Sequence, residues 1–385
     1  MNFADYLNSS QALPHSMGLP KDASIYGKIT KPVNLNNITI DDNSLLIIGV
    51  NENRNSENSG SSQSADAIRK YLYSLSAANI KFNLIDLGNI KDTTTPADTY
   101  GALRDIVAYI TSKGGKCIVL GGTQELTWPI YQGVVENSSN LNLSLIDYTI
   151  DKGNNDGDFS SSCYIDKFVS EPLHKMFSLN ILGYQGYLTN SNHINSLQAN
   201  NCELVRLGQV RRAMSEIEPT LRDSDIVSLD IASVRQGDSP GAAFASPNGF
   251  YAEEVCQIAR YAGLSPRSKV FSLFELNVNN DNKGQSAHLA AQIIWHYMDA
   301  FSTKSKYVLQ TNSSSVKKYY IKSPIPKVNL VFLHNLVNDT WWMEIIHPIE
   351  EGEERIIIAC SYNDYKMASN GDVPDRWLRV WKKMT

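Results

Sequence analysis

Short apolar runs alternate with amphipathic segments through most of this chain. Leu45–Val50, Phe82–Leu87, Cys117–Leu120, Leu141–Ile146, Phe177–Leu182, Ile226–Leu229 and Val270–Leu276 are mainly β-branched or leucine-rich and predict strands. Between them, Ala65–Leu75, Ala102–Thr111, Leu126–Val135, Ala252–Tyr261 and Ala287–Phe301 predict helices. In the first of these, Ala67-Ile68 and Tyr71-Leu72 recur at helical spacing. This alternation predicts the α/β class: a three-layer, doubly wound, mostly parallel sheet with helices on both faces. Ligands of such sheets bind beyond the carboxyl ends of the strands.

The pattern changes at both ends. Residues 1–44 are irregular, punctuated by Pro14, Pro20 and Pro32, with a short helix expected around Phe3–Leu7. After Phe301 a polar stretch leads to four short runs, Lys317–Ile321, Asn329–Leu333, Thr340–Ile346 and Arg355–Ala359. A last helix begins near Pro374. The expected organisation is an N-terminal segment at 1–44, an α/β domain at 45–305 and an antiparallel β-rich appendage at 310–385. Trp341, Trp342, Trp377 and Trp381 in the appendage suit either internal packing or a partner surface, and packing is favoured.

Composition narrows the function. With 42 % apolar and 19 % charged residues the chain is an ordinary globular one, and a net charge of −5 gives no basic footprint for nucleic acid. No apolar run approaches a membrane span, and the first residues lack the pattern of a signal peptide. Five scattered cysteines without a Cys-x-x-Cys pair fit a reduced compartment, so a cytoplasmic location is expected. Asp156-Gly157-Asp158 lies in a Gly/Asn/Asp-rich loop whose spacing does not match an EF-hand.

Three segments carry candidate chemistry, each at a predicted strand end. They are Gly121-Gly122-Thr123-Gln124, Asp147-Tyr148-Thr149-Ile150-Asp151 and Ser228-Leu229-Asp230-Ile231-Ala232. They resemble the Gly-Gly-x-His, Asp-x-His-x-Asp and Ser-x-Asp-x-Asp signatures of the arginase/ureohydrolase superfamily. Ala65-Asp66-Ala67-Ile68-Arg69, the loop from Asp238 to Phe250, and Glu275-Leu276-Asn277 resemble further family segments, in the family's order. The overall style is similar to a bacterial arginase-like or formimidoylglutamase-like branch, and the resemblance spans about residues 45–302.

That resemblance implies an arginase-like fold and a two-metal site in which carboxylates bridge the cations and activate a water. It also exposes three departures. Gln124, Thr149 and Ala232 stand where the family has His, His and Asp. Carried over residue by residue, one cation would meet Gln124, Asp147, Asp151 and Asp230. The other would keep two bridging carboxylates and at most the Thr149 hydroxyl. Glu275 matches the family's guanidinium-recognising Glu and is expected as a relic of it. Oxygen donors suit Mg²⁺, Ca²⁺ or Mn²⁺. The expected cofactor is therefore none, or one hard divalent cation, and not a two-manganese cluster. Without a cation, the repelling carboxylates should take up a proton or pair with Lys152 or an arginine.

The leading expectation is an arginase-fold pseudoenzyme with a degenerate metal site, serving as a non-catalytic scaffold for a protein partner or as a homo-oligomer. The alternative is a hydrolase of amidine or guanidine C–N bonds that works with a single or altered metal site. A third is a ligand sensor that keeps the pocket without the chemistry. The plainest reading of the three aspartates is structural: strand-end residues bonded to backbone amides.

Overall fold

The computed structural model describes residues 1–16, 18–32, 38–153, 159–170, 175–325, 328–349 and 352–384. The Asp156-Gly157-Asp158 loop lies outside them. The chain has the expected α/β fold, with a mostly parallel main sheet. Nine strands build its main sheet: β1 (Leu7–Asn8), β2 (Ser44–Gly49), β3 (Asn83–Ile90), β4 (Lys116–Leu120), β5 (Leu141–Ile146), β6 (Met176–Tyr184), β7 (Glu203–Arg206), β8 (Ile226–Asp230) and β9 (Val270–Phe274). Their order is β1-β3-β2-β4-β9-β8-β5-β6-β7. Every pairing is parallel except that of β1 with β3.

Successive side chains of a strand point to opposite faces, so a strand covered on both sides must be apolar throughout. β2 shows this directly. Leu45 and Ile47 pack with helices Ser64–Leu72, Ala252–Gly263 and Gln285–Phe301. Leu46 and Ile48 join the opposite core with helices Pro96–Ser112 and Thr127–Val135. All four leucine and isoleucine side chains are fully buried.

Element ends differ from the sequence reading where a cap or an unusual backbone angle decides them. The helix expected from Ala102 starts at Pro96, because Thr95 and Asp98 form a reciprocal capping box and Pro96 is pre-set for the first turn. The last strand of the sheet, expected to reach Leu276, stops at Phe274. Glu275 has φ of +66°, which no strand accommodates. Strand β7 and helices Ile165–Ser170, Ser191–Ala199, Leu207–Arg212 and Tyr362–Ser369 had no periodic signal. β7, for example, is a four-residue edge strand that is only partly covered.

A separate antiparallel sheet follows: β10 (Val316–Lys322), β11 (Asn329–Asn335), β12 (Thr340–Ile349) and β13 (Gly352–Cys360), in that order. Its core of Phe332, Trp341, Met343 and Ile358 is closed by Trp377 and Val380 of helix Asp375–Met384. Trp341, Trp342 and Trp377 are buried, and Trp381 stacks on Trp377 with ring centres 4.7 Å apart, so these rings serve packing. Polar contacts fasten this sheet to the first. Arg222 Nη2 donates to Trp341 O at 3.0 Å, Ala359 N to Asp223 Oδ2 at 2.6 Å, and Arg379 Nη2 to Glu203 Oε1 at 2.7 Å.

Candidate active site

The three motif segments leave the carboxyl ends of β4, β5 and β8, and Glu275 leaves β9. These four strands are adjacent in the order β4-β9-β8-β5, so the fold brings the candidate residues to one crevice. Gly121 and Gly122 have φ of +82° and +76°. This left-handed turn suits glycine and swings Gln124 under the neighbouring strands. Gln124 is buried, and neither atom of its side-chain amide has a hydrogen-bond partner among the described residues.

Asp147 and Asp230 each spend one oxygen on local backbone. Thr149 N donates to Asp147 Oδ1 at 3.1 Å and Ala232 N to Asp230 Oδ1 at 2.6 Å. The structural reading of these aspartates therefore holds for half of each carboxylate. The other oxygen of Asp147 is buried without a hydrogen-bond partner among the described residues. Glu275 accepts from Gln124 N at 2.8 Å and from Asn58 Nδ2 at 2.9 Å. Thr149 Oγ1 donates to Leu188 O at 3.2 Å, which ties that side chain to the loop after β6.

The electrostatics are unusual. Among the described residues no lysine or arginine forms an ion pair with Asp147, Asp151, Asp230 or Glu275. Lys152, one expected partner, bonds Asp166 at 2.8 Å instead. Burial pushes Asp147 up to about 7, and Glu275 adds to the shift. Burial likewise brings Glu275 up to about 7. Asp151 and Asp230 rise well above the usual carboxylate range, first through burial and then through the charge of Asp147. The expected proton uptake therefore falls on these acids in the absence of a cation.

Sequence reasoning missed three contributors. Glu125, next to Gln124, is wholly buried and is pushed up to about 8 by burial. Asn58 holds Glu275. The Tyr164 hydroxyl is buried without a hydrogen-bond partner among the described residues and is raised by burial and by Asp147, Asp151, Asp230 and Glu275. Only the position of Glu125 beside Gln124 was a usable signal.

Oxygens of Gln124 and Asp147 without partners among the described residues, beside acids that meet no lysine or arginine among them, are the donor set a hard divalent cation takes. No three His, Cys, Asp or Glu side chains of the described residues are drawn together closely enough to hold a metal as they stand. The carboxylates are electrostatically coupled to one another.

Comparison with known proteins decides the lineage. The sequence model of the arginase family matches residues 43–299. The chain belongs to the arginase family. Among curated relatives, the formimidoylglutamase of Lysinibacillus sphaericus (strain C3-41) is 22 % identical over 259 residues, 64 % of this chain and 80 % of that protein. The formimidoylglutamase of Enterobacter sp. (strain 638) is 24 % identical over 258 residues, 63 % of this chain and 80 % of its own. Among solved structures, Bacillus subtilis formimidoylglutamase aligns with a TM-score of 0.65 at 17 % identity, covering 77 % of this chain and 95 % of its own. Trypanosoma cruzi formiminoglutamase with Mn²⁺ aligns at 0.63 and 20 % identity, covering 70 % and 97 %.

These relatives overturn the expectation of a non-catalytic arginase-fold pseudoenzyme with a degenerate metal site. The proteins that share most of this domain are enzymes by name, and the T. cruzi neighbour carries Mn²⁺. The sequence reading erred by weighing donor atoms lost at positions 149 and 232. It could not see how strongly the remaining acids are buried, nor that no lysine or arginine of the described residues pairs with them. Of the described residues, no helix is long and apolar enough to cross a membrane.

Proposed function

We propose that this chain is a metal-dependent hydrolase of linear amidine C–N bonds, of the formimidoylglutamase type, working with a single or altered divalent-cation site. The observation that carries this reading is the buried set of carboxylates at adjacent strand ends with no lysine or arginine partner among the described residues, beside the Gln124 amide, which has no hydrogen-bond partner among them either. Asp147, Asp151, Asp230 and Gln124 would hold the cation, and their oxygen donors favour Mn²⁺ or Mg²⁺. When bound, the cation supplies Lewis acidity and an activated water at neutral pH.

The chain's own residues do the rest. The crevice excludes bulk water, which strengthens every charge interaction inside it. Glu275, fixed by Gln124 N and Asn58, turns a negative group toward the crevice and orients the cationic amidine. Thr149, tied to Leu188 O, leaves the second family position without a strong ligand, which is why one cation is assigned here and not two. Water adds across the amidine carbon of an N-formimidoyl group; the C–N bond breaks and gives an amine and formamide.

The reading is supported by the family membership, by the relatives named formimidoylglutamase and by the acid cluster. The test is amine release from N-formimidoylglutamate, agmatine, arginine and guanidinobutyrate with Mn²⁺ added. Turnover should favour the formimidoyl substrate and drop at least ~10³-fold in Asp230→Ala, a loss in keeping with removal of a metal's Lewis acidity. Absence of turnover on all four substrates in the Mn²⁺-loaded protein would refute it.

A further inference from the structure

Apart from the crevice, helices Pro96–Ser112 and Thr127–Val135 line a cavity of about 620 Å³, within the size range of small-molecule sites. Tyr100 and Gly101 of the first helix, Trp128 and Gln132 of the second and Phe159 form part of its wall. None of Gln124, Asp147, Asp151, Asp230 or Glu275 lines it, so it is a separate site. It is still a neighbour of the acids: the Tyr100 hydroxyl donates to Glu125 Oε1 at 3.3 Å. Trp128 and Gln132 stand four residues apart and so share one face of their helix.

The two helices touch at one point and part at another, and a glycine marks each. A Cβ at Gly133 would meet Arg104 O at 2.5 Å, so the close contact requires that glycine. A Cβ at Gly101 would meet no neighbouring element within 4 Å. Packing therefore does not require Gly101, although glycine weakens a helix interior relative to alanine. What Gly101 provides is room, because the missing side chain is part of the cavity. The walls are fixed aromatic rings. Tyr100 and Phe159 meet edge to face with ring centres 5.6 Å apart, and Trp128 is held by Tyr131 and Phe168 at 5.8 and 5.1 Å. Arg104 pairs with Asp105 at 2.7 Å, and Lys167 is not free either. The Gln132 amide has no hydrogen-bond partner among the described residues. The open chemistry is thus a set of ring walls and one amide, which carries a donor and an acceptor side by side.

We propose that this cavity binds an uncharged, planar heteroaromatic ring of the nucleobase type. The ring packs against Tyr100, Trp128 and Phe159, and its polar edge pairs with the Gln132 amide. Aromatic rings favour stacked and edge-to-face contacts of this kind, and a Gln amide matches an adenine edge through two hydrogen bonds. The site does not depend on the hydrolase reading and stands or falls without it. The test titrates adenosine into the full chain by calorimetry, with saturation-transfer NMR to show that the base makes the contact. The proteins are the wild type, Gly101→Leu, Gln132→Leu and Asp230→Asn. Cyclohexanecarboxamide, which has the amide edge and no aromatic ring, is the control ligand.

Gly101→Leu fills the cavity and strengthens the helix, so it should melt no lower than the wild type and bind adenosine at least ~10-fold more weakly, the scale of lost base stacking. Gln132→Leu should weaken binding roughly 3- to 10-fold, the scale of one lost neutral hydrogen bond. Asp230→Asn should bind adenosine as the wild type does, and cyclohexanecarboxamide should bind the wild type at least ~10-fold more weakly than adenosine. Absence of adenosine binding at millimolar concentration, or affinity unchanged in both Gly101→Leu and Gln132→Leu, would overturn the proposal. Binding lost in Asp230→Asn would put the ring in the crevice and overturn it as well. Cyclohexanecarboxamide binding as tight as that of adenosine would mark a general apolar cleft and overturn the heteroaromatic assignment.

Discussion

Arg69 on helix Ser64–Leu72 and Asp86 on β3 are as deeply buried as Asp147 and Asp230, yet the two groups are built on opposite terms. Arg69 meets Asp86 through two hydrogen bonds, Nε to Oδ2 at 2.8 Å and Nη2 to Oδ1 at 3.0 Å. Its remaining donors reach Gly88 O and Asn89 Oδ1, and Asp86 also accepts from Gly88 N at 2.8 Å. The same logic holds where the second sheet docks. Burial alone would raise Glu203, but Arg376 and Arg379 outweigh it and hold its carboxyl below the usual range. At the strand ends burial pushes the acids up, and the hydrogen bonds from backbone amides and Asn58 only partly offset it. The lesson is that burial of charge does not by itself mark a site. A buried charge whose partner the chain does not supply is waiting for one, and such perturbed groups concentrate at functional sites.

That contrast can be broken at either end. Arg69→Met should leave Asp86 buried without its cation and lower stability by about 3–5 kcal/mol, measured by urea unfolding. A change under about 1 kcal/mol would mean that the pair is not the closed unit described here. Removing charge from the acid cluster should act the other way. Asp147→Asn keeps the shape, removes one of the repelling carboxylates, and should stabilise the metal-free protein by about 0.5–2 kcal/mol while abolishing turnover.

The pH dependence of the same variant sharpens the point. An acid raised to about 7 in the fold holds a proton that the unfolded chain, with an ordinary value of about 4, has already lost. Its contribution is fully present below about 4 and is lost as pH climbs through about 7. The metal-free wild type should therefore lose stability over that window, and Asp147→Asn should flatten the slope. Parallel slopes in the two proteins would show that the cluster does not carry the shift.

Much of the fold was legible because its signals are local and repetitive. Apolar runs such as Leu141–Ile146 predict strands directly, and their order with the helices implies a parallel sheet. The three motif segments also placed Gln124, Asp147, Asp151 and Asp230 at strand ends that the topology makes neighbours. What sequence could not convey is the state of those side chains. Nothing in the letters at 149 and 232 says that the surviving carboxylates lack a counter-ion, and that misled the reading toward a lost activity. Tyr164 reaches the cluster from a turn with no periodic pattern to announce it. The positive φ of Glu275 had a trace only in the Phe274-Glu275 strand end, where a continuing apolar run hid it.

The most direct test of the account is a calorimetric titration of Mn²⁺ into metal-free protein near pH 6, in two buffers of different ionisation heat. Cation binding to acids that hold protons must release them. The account expects one Mn²⁺ per chain, proton release on binding, and loss of both in Asp230→Asn. Absence of Mn²⁺ binding, or binding that Asp230→Asn leaves unchanged, would contradict it.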